Sequence, residues 1–345
     1  MRRRRKIVLA AVPLVLVLAH FAYWRQVQHQ LADGYAQWVT QAQAAGWTVR
    51  AGPVAGGGWP FDASLTIRDF ALAGGRATVP DGIDWHSPQL VLRIGLTDPL
   101  RVDVDAQGQQ TIRVGASPVM PVAADRLHAT LSLGTNGVPQ GVDILVNHMT
   151  ADVVPTRGDQ GRTSIGLLQA HADLIGGPPG IGITLSAEAI DLPAMMKWPL
   201  GSRLSSLTLE GTISGTLGEG TTQAAWAAAW RDSGGSLEIR RFAVGWGPLG
   251  VSATATLALD DQLQPMGAGT AKLVGYDAAL DALAANGTLS RSAVTAAKAV
   301  LSLLAPTPGD GEPPAVDVPL TLQYRTLSMR QVPLLRLPEL DWPQP

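Results

Sequence analysis

The residue types that could perform chemistry are sparse in this 345-residue chain, and their spacing favours structural roles. There is no cysteine, which excludes thiolate nucleophiles, thiolate metal sites and disulfides. Gly245–Gly250 has the spelling G-x-G-x-x-G, but it leads into the strand-like sequence VSATATLAL. A dinucleotide site requires a helix at that point, so we interpret Gly245–Gly250 as a hairpin turn.

Histidines, carboxylates and serines do not form a recognisable site either. No two histidines have the spacing of metal ligands. Asp103 and Asp105 alternate with valines, which places both carboxylates on the polar face of one predicted strand, where solvated carboxylates are ordinary. No serine lies in a G-x-S-x-G motif. We therefore expect a protein that is not an enzyme and has no cofactor and no metal ion. A hydrolase that uses Asp103, His128 and His148 is a further alternative. The six histidines are His20, His29, His86, His128, His148 and His171.

The N-terminus predicts a membrane anchor. Five basic residues occupy positions 2–6, and the apolar segment Ile7–Trp24 follows them. As a helix these 18 residues would be about 27 Å long, close to the ~30 Å thickness of the hydrocarbon core. Tyr23 and Trp24 are of the type found at membrane interfaces. A cleaved signal peptide is the alternative, although His20 stands where a cleavage site requires small residues.

Charge gives the orientation and excludes one class of partner. Because basic clusters remain in the cytoplasm, we predict residues 1–6 as a cytoplasmic tail, 7–24 as a single span of the bacterial inner membrane, and the bulk of the chain in the periplasm. Without the five basic residues of the tail, 21 basic and 28 acidic residues remain. This acidic balance disfavours nucleic-acid binding.

The period of the apolar residues changes beyond the predicted anchor. Residues 25–46 have helical spacing, and we predict a helical stalk there, ended by Gly46. After Trp47 the period becomes two, as in half-buried strands. Strands are expected at 61–68, 90–96, 100–105, 127–133, 142–146, 183–189, 207–213, 237–246, 249–259 and 316–324. Helices are expected at Asp191–Trp198, Thr221–Arg231, Asp277–Ala285 and Ser290–Ala305.

Many half-apolar strands with short connections predict a mainly β fold with accessory helices. We expect a large curved antiparallel sheet, either a half-barrel or an open groove, after the N-terminal transmembrane helix. Residues 47–345 would form this periplasmic β-rich domain, with a possible seam near 176–180. Glycine and proline total 63 residues, with 38 and 25 copies, which fits a fold with many turns.

Two segments carry a resemblance to a known family. The first is AAGWTVRAGPVAGGGWPFDASLTIRDFAL, in which Gly58–Phe61 opens a strand. The second is VDVPLTLQYRTLSMRQVPLLRLPEL, from Val316 to Leu340. Both resemble the domain-of-unknown-function 2125 family of bacterial envelope proteins. The resemblance implies an inner-membrane-anchored periplasmic protein, and it supplies no catalytic residues.

The predicted sheet has more apolar surface than the predicted helices can cover, and this difference suggests a function. The predicted sheet has one long apolar face, and the predicted helices are too few to cover it. We therefore expect a non-enzymatic periplasmic protein that binds a lipid or another apolar ligand in a groove of the sheet. The alternative is a structural or assembly protein of the cell envelope, with a closed core and a protein partner. The residues expected to contact an apolar ligand are Phe61, Leu65, Ile67, Leu90, Leu92, Ile94, Leu320 and Leu322.

Overall fold

The computed structural model describes residues 2–75, 81–152, 161–175, 180–194, 196–216, 222–304, 314–329 and 332–342, with side chains described except at 2–11 and 302–304. The protein is mainly β, with one antiparallel sheet of 18 strands. The strands are β1 Thr48–Arg50, β2 Val54–Gly57, β3 Asp62–Gly74, β4 Ile83–Gly95, β5 Asp98–Gln107, β6 Gln110–Val114, β7 Met120–Ala123, β8 Arg126–Leu133, β9 Pro139–Asp152, β10 Arg162–Ile175, β11 Gly180–Asp191, β12 Arg203–Ser214, β13 Ser236–Trp246, β14 Leu249–Leu259, β15 Pro265–Val274, β16 Ala315–Gln323, β17 Thr326–Met329 and β18 Val332–Arg336. The helices are α1 Arg2–Ala44, α2 Gln223–Asp232, α3 Tyr276–Ala285 and α4 Arg291–Leu304.

Strand pairing follows the chain, as expected for hairpin-connected strands. From β8 to β18 each strand pairs with the next one in sequence. Three long strands each pair with two short ones on one side: β3 with β1 and β2, β4 with β5 and β6, and β9 with β7 and β8. The β5–β8 pairing joins the strands β1–β6 to the strands β7–β18. The predicted fold class, a large antiparallel sheet after an N-terminal helix, is thus confirmed.

Most predicted elements are present, with one clear error. The helices predicted at residues 221–231, 277–285 and 290–305 correspond to α2, α3 and α4. The helix predicted at Asp191–Trp198 is wrong, because β11 continues to Asp191 and the Leu192 amide then donates to the carbonyl of Ser202, 2.7 Å away. This bond extends the hairpin between β11 and β12. Of the predicted seam, residues 176–179 lie outside the described residues.

The pairing register places apolar side chains on one face across most of the sheet. Residues directly opposite each other on neighbouring strands share a face, so a chain of such pairs forms a row. One row crosses twelve strands and is apolar throughout. We call it the apolar row; its members are Leu65, Leu92, Val104, Ala129, Ile144, Ala170, Leu185, Leu209, Phe242, Ala253, Ala271 and Val318.

The opposite face carries a matching polar row. It crosses nine strands through Ser64, Arg93, Asp103, Thr130, Asp143, His171, Thr184, Glu210 and Arg241. Since the side-chain period of a strand is two, one residue of slippage would exchange the two faces. The register of the whole sheet is therefore fixed by burial. We call the two sides the apolar face and the polar face.

A local break in the alternation keeps Phe70 on the apolar face. Ile67 and Phe70 are three residues apart, and both are buried together with Leu90. Asp69 between them has a positive φ of 48°, a conformation of the left-handed region that is typical of strand irregularities. Arg68 pairs with Gln89 and Phe70 with Ser87 without a change of register, so β3 and β4 change phase together and Phe70 returns to the core.

Helix α1 covers the first part of the apolar face. The segment that the sequence predicted as a stalk packs against β3 and β4: Val27 and Leu31 are buried with Leu65 and Ile94. The Trp24 indole donates to the carbonyl of Asp62 at 2.8 Å. Burying a side chain such as Leu31 contributes about 1.5–3 kcal/mol, so this part of α1 belongs to the core of the β domain.

The predicted anchor and the predicted stalk form one continuous helix, α1. Residues 7–11 of the predicted anchor lie outside the part whose side chains are described. Val12 and residues 14–18 are exposed. Among the described residues, no helix has both the length and the apolar character required to cross a bilayer.

Helices α3 and α4 cover the apolar face around β16, late in the strand order. Tyr276 of α3 is buried with Val316 and Val318 of β16, and Leu301 of α4 and Met329 of β17 pack against this cluster. Helix α2 contacts β14. The helices thus lie near the two ends of the strand order, at β3–β4 and β14–β16.

Burial of Tyr35 makes helix docking sensitive to alkaline pH. Tyr35 packs against the clusters of both Leu65 and Ile67, and burial raises the pKa of its phenol above the ordinary value of 10.0. The unfolded chain therefore releases this proton at lower pH than the folded chain. The stabilising contribution is complete below pH 10 and is lost as pH rises through the raised pKa.

We expect the free energy of unfolding to fall above pH 10, and the Tyr35→Phe variant to show a smaller fall. Urea unfolding of the full chain at pH 8 to 11 measures both. Tyr324 is 84% exposed, so Tyr324→Phe is the matched control and should behave as the wild type. An identical pH profile for all three proteins would contradict the burial of Tyr35.

Candidate functional site

Seven of the eight predicted ligand-contacting residues lie on the apolar face, but the protein's own helices cover that part of it. Leu65 and Ile94 are buried beneath α1. Ile67 and Leu90 are buried in the neighbouring cluster, and Leu92 packs against both clusters. Leu320 and Leu322 belong to β16, where Leu320 packs against the cluster of Tyr276 and Leu322 is 9% exposed. These side chains form the core.

Phe61 is not on the apolar face. The alternation predicted a strand beginning at Phe61, but β3 begins at Asp62, and Phe61 occupies the preceding turn with 83% of its surface exposed. The turn is closed by a bond from the Asp62 amide to the carbonyl of Gly58 at 3.0 Å. Phe61 therefore projects from the end of the sheet.

The candidate site lies instead in the middle of the apolar face, on β8 to β13. Side chains here are half-buried for the most part, although Val146 and Ala187 are buried and Ile144 is 36% exposed. None of the central members of the apolar row, Ala129 to Phe242, belongs to the three buried clusters that α1, α3 and α4 help to form. We call this the uncovered face. Its side chains are Leu127, Ala129, Leu131, Val142, Ile144, Val146, Leu168, Ala170, Ala172, Ile183, Leu185, Ala187, Leu207, Leu209, Ile239, Phe242 and Val244.

The uncovered face combines branched side chains with small ones. In one row Leu131, Val142, Ala172 and Ile183 lead to Gly211. Small residues beside large ones produce a shallow relief, and no charged side chain occurs in it. A large exposed apolar surface is typical of a ligand or partner site, and one without charges would bind by apolar contact.

The polar face behind the uncovered face has a pocket of about 480 Å³. It is formed by β5 and β8 to β11. Its polar lining residues are Arg101, Arg126, His128, Thr130, Asp143, Gln169, His171, Thr184 and Ser186. Apart from histidines, its ionisable side chains are Arg101, Arg126 and Asp143, so groups of both signs face an ionic ligand.

Asp103 and Asp105 share the polar face, as predicted, and both are engaged. Asp105 accepts a bond from Arg93 at 3.0 Å and lies 2.8 Å from Nδ1 of His128. Asp103 accepts from the Thr130 hydroxyl at 2.7 Å and from Arg101 at 3.3 Å. Carboxylates held in this way cross-link the strands, which favours a structural role over general acid–base catalysis.

His171 and His148 also have local partners. Nδ1 of His171 lies 2.7 Å from Asp143, and Nδ1 of His148 lies 2.9 Å from Asp125. The structure does not bring His148 and His128 together. In the described part of the chain no three histidine or carboxylate side chains are placed to hold a metal ion. The Gly245–Gly250 segment is the predicted hairpin, since Trp246 pairs with Leu249 across its turn.

Sequence comparison identifies the family of this chain. A family model described as an uncharacterized protein conserved in bacteria (DUF2125) matches residues 24–338. The chain belongs to this family. No curated protein and no solved structure matches it.

The DUF2125 match coincides with the folded unit. It begins at Trp24, the first residue of α1 that packs against β3, and it ends beyond β18. The family unit therefore includes the packed part of α1 together with the entire sheet.

We predict that the uncovered face tolerates an introduced charged side chain better than the part of the apolar face that the helices cover. Ile67 is 0% exposed and Ile144 is 36% exposed, and both are isoleucines on the apolar face. We expect Ile67→Asp to lower the free energy of unfolding by about 4 kcal/mol or more, and Ile144→Asp by about 1 kcal/mol.

Urea unfolding of the purified full chain in detergent measures both values. Equal losses would mean that Ile144 is as fully enclosed as Ile67, and the uncovered face would then not exist in solution.

Proposed function

We propose that this protein is a non-enzymatic, membrane-anchored periplasmic protein of the bacterial cell envelope that binds the acyl chain of a lipid on its uncovered face. The observation that carries the proposal is the apolar row, which continues without a polar residue through strands that none of the described helices covers. A hydrocarbon chain laid on this row would contact only apolar side chains.

The energetics favour a chain-like apolar ligand. Each methylene group removed from water contributes about 0.8 kcal/mol, so several methylenes on the uncovered face would supply useful affinity. A ligand of this kind would also remove Ile144 and its half-buried neighbours from water. The absence of charge from the uncovered face leaves specificity to shape and length.

The membrane placement rests on the sequence of the N-terminus. The basic residues at 2–6 and the apolar segment Ile7–Trp24 fit an anchor with the β domain in the periplasm. Continuity of α1 supports this placement, because one helix joins the apolar segment to the core of the sheet. The domain would then be held close to a source of lipid.

A photoactivatable palmitic acid with a diazirine on its alkyl chain tests the proposal. The full chain in phospholipid vesicles is incubated with this probe, irradiated and digested, and the labelled peptides are identified by mass spectrometry. We expect labels on peptides from β9 to β13. Labels confined to the segment before Trp24 would reflect bilayer contact alone and would contradict the proposal.

A pair of tryptophan substitutions sharpens the test. Ala170 is a half-buried member of the apolar row, and Gln169 beside it is exposed on the polar face. Ala170→Trp should fill the shallow depression between the larger side chains and strongly reduce labelling of β9 to β13. Gln169→Trp should leave this labelling unchanged. Equal labelling of the two variants would place the probe elsewhere.

The last strand favours a second candidate function, assembly with a protein partner. Strand β18 pairs with β17, and its side chains Val332, Leu334 and Leu335 are more than half exposed. A short apolar strand at the end of the strand order can add a strand from another chain. Crosslinking in membranes that yields a constant protein adduct at β18, and no lipid adduct, would favour assembly over lipid binding.

A further inference from the structure

We propose that one end of the sheet rests on the surface of a lipid bilayer, with exposed apolar side chains of its turns inserted among the lipids. This inference extends the proposed membrane attachment from α1 to the β domain itself. We call the inserted set the apolar rim; its members are Trp59, Phe61, Leu100, Val138, Leu174 and Tyr324, which are 42–84% exposed.

The topology brings the apolar rim to one end of the sheet. Strand β3 begins at the end in question, so in an antiparallel sheet every second connection returns to it. The β2–β3 turn carries Trp59 and Phe61, and the β8–β9 connection carries Val138. Strand β10 finishes there at Leu174–Ile175, and Tyr324 occupies the β16–β17 turn. The rim thus has members from the β2–β3 turn to the end of β10 and again at the β16–β17 turn.

Helix α1 leaves the sheet at the same end. The His20 ring is 2.7 Å from the carbonyl of Pro60, and the Tyr23 hydroxyl donates to the carbonyl of Leu96 at 3.1 Å. Residues before His20 extend past the turns, and Val12 and residues 14–18 of this segment have exposed apolar side chains. Whatever surrounds residues 12–18 must therefore also lie close to the β2–β3 turn.

Aromatic rings cluster where α1 passes the β2–β3 turn. The rings of Phe21 and Trp59 have centroids 5.3 Å apart, and those of Trp24 and Trp59 are 5.7 Å apart. Aromatic side chains with a polar edge are enriched where a chain passes from lipid to water. Phe61, next to the cluster, reaches further into solvent than any of these rings, as an inserting residue would.

The opposite end of the sheet has a different character. Pairs of cross-strand ions lie there: Asp84 with Arg113, Asp152 with Arg162, and Asp191 with Arg203. The Arg203 guanidinium holds the pKa of Asp191 below its ordinary value. Ion pairs of this kind are compatible with water and costly in hydrocarbon. These ion pairs therefore suit contact with water.

A lipid surface fits the apolar rim better than a protein does. The members are spread over five separate turns and strand ends rather than forming a contiguous patch, and protein interfaces require a packed core. The ion pair of Arg325 with Glu339 beside Tyr324 would lie at the level of the headgroups. With the rim in the bilayer, an acyl chain could pass onto the uncovered face without crossing water.

Site-directed labelling tests the rim, and the lack of cysteine makes it direct. Single variants Phe61→Cys, Leu174→Cys and Tyr324→Cys report on the rim. Val119→Cys and Met196→Cys are the matched controls, because both residues are exposed at the opposite end. Each full-length variant carries the fluorophore NBD in phosphatidylethanolamine–phosphatidylglycerol vesicles, with and without doxyl-labelled lipid.

We expect blue-shifted emission and loss of intensity with doxyl lipid at the three rim positions, and neither effect at Val119 and Met196. Equal quenching at the two ends, or no quenching at the rim, would overturn the inference. Val15→Cys separates this outcome from failure of the anchor: quenching at Val15 without quenching at the rim refutes the rim alone. Acyl-chain binding is judged independently by the diazirine labelling.

Discussion

The structure depends on one constraint, the continuous register of the antiparallel sheet. Pairing from Leu65 to Val318 carries apolar side chains in a single row over twelve strands. A shift of one residue between any two strands would turn the apolar side chains of all later strands toward the polar face. Cross-strand partners such as Asp105 with His128 and Asp143 with His171 hold the same register from the other side.

The helices complete the fold only in part, and this produces the candidate site. Helix α1 seals β3 and β4, and α3 and α4 seal β15 and β16. Between them the apolar face has the composition of a core without a described element over it. An acyl chain would remove this face from water, as a further layer of protein would. This links the architecture to the proposed function.

Much of the fold was predictable because period-two alternation is a local signal. It indicated the strands around Leu65, Leu92 and Leu209. Strand β10 has the same alternation from Leu168 to Leu174 and could have been predicted. Strand β15 was harder, because Gly267 and Gly269 occupy its apolar positions; a Cβ there would overlap the carbonyls of Thr256 and Thr254.

The location of the candidate site could not be predicted, because it depends on which strands the helices cover. Periodicity identified Leu65 and Ile67 as apolar-face residues, but it gave no indication that residues 25–44 would fold back onto them. Phe61 was misplaced for a local reason: the Gly58–Phe61 turn delays the start of β3 by one residue.

The most direct test of the central claim is a crystal structure of the full chain grown from a lipid mesophase. We expect elongated density, belonging to no part of the protein, along Ile144, Leu185 and Leu209 between β8 and β13. If this face is instead covered by protein side chains, or bears only ordered water, the account of an uncovered acyl-binding face is wrong.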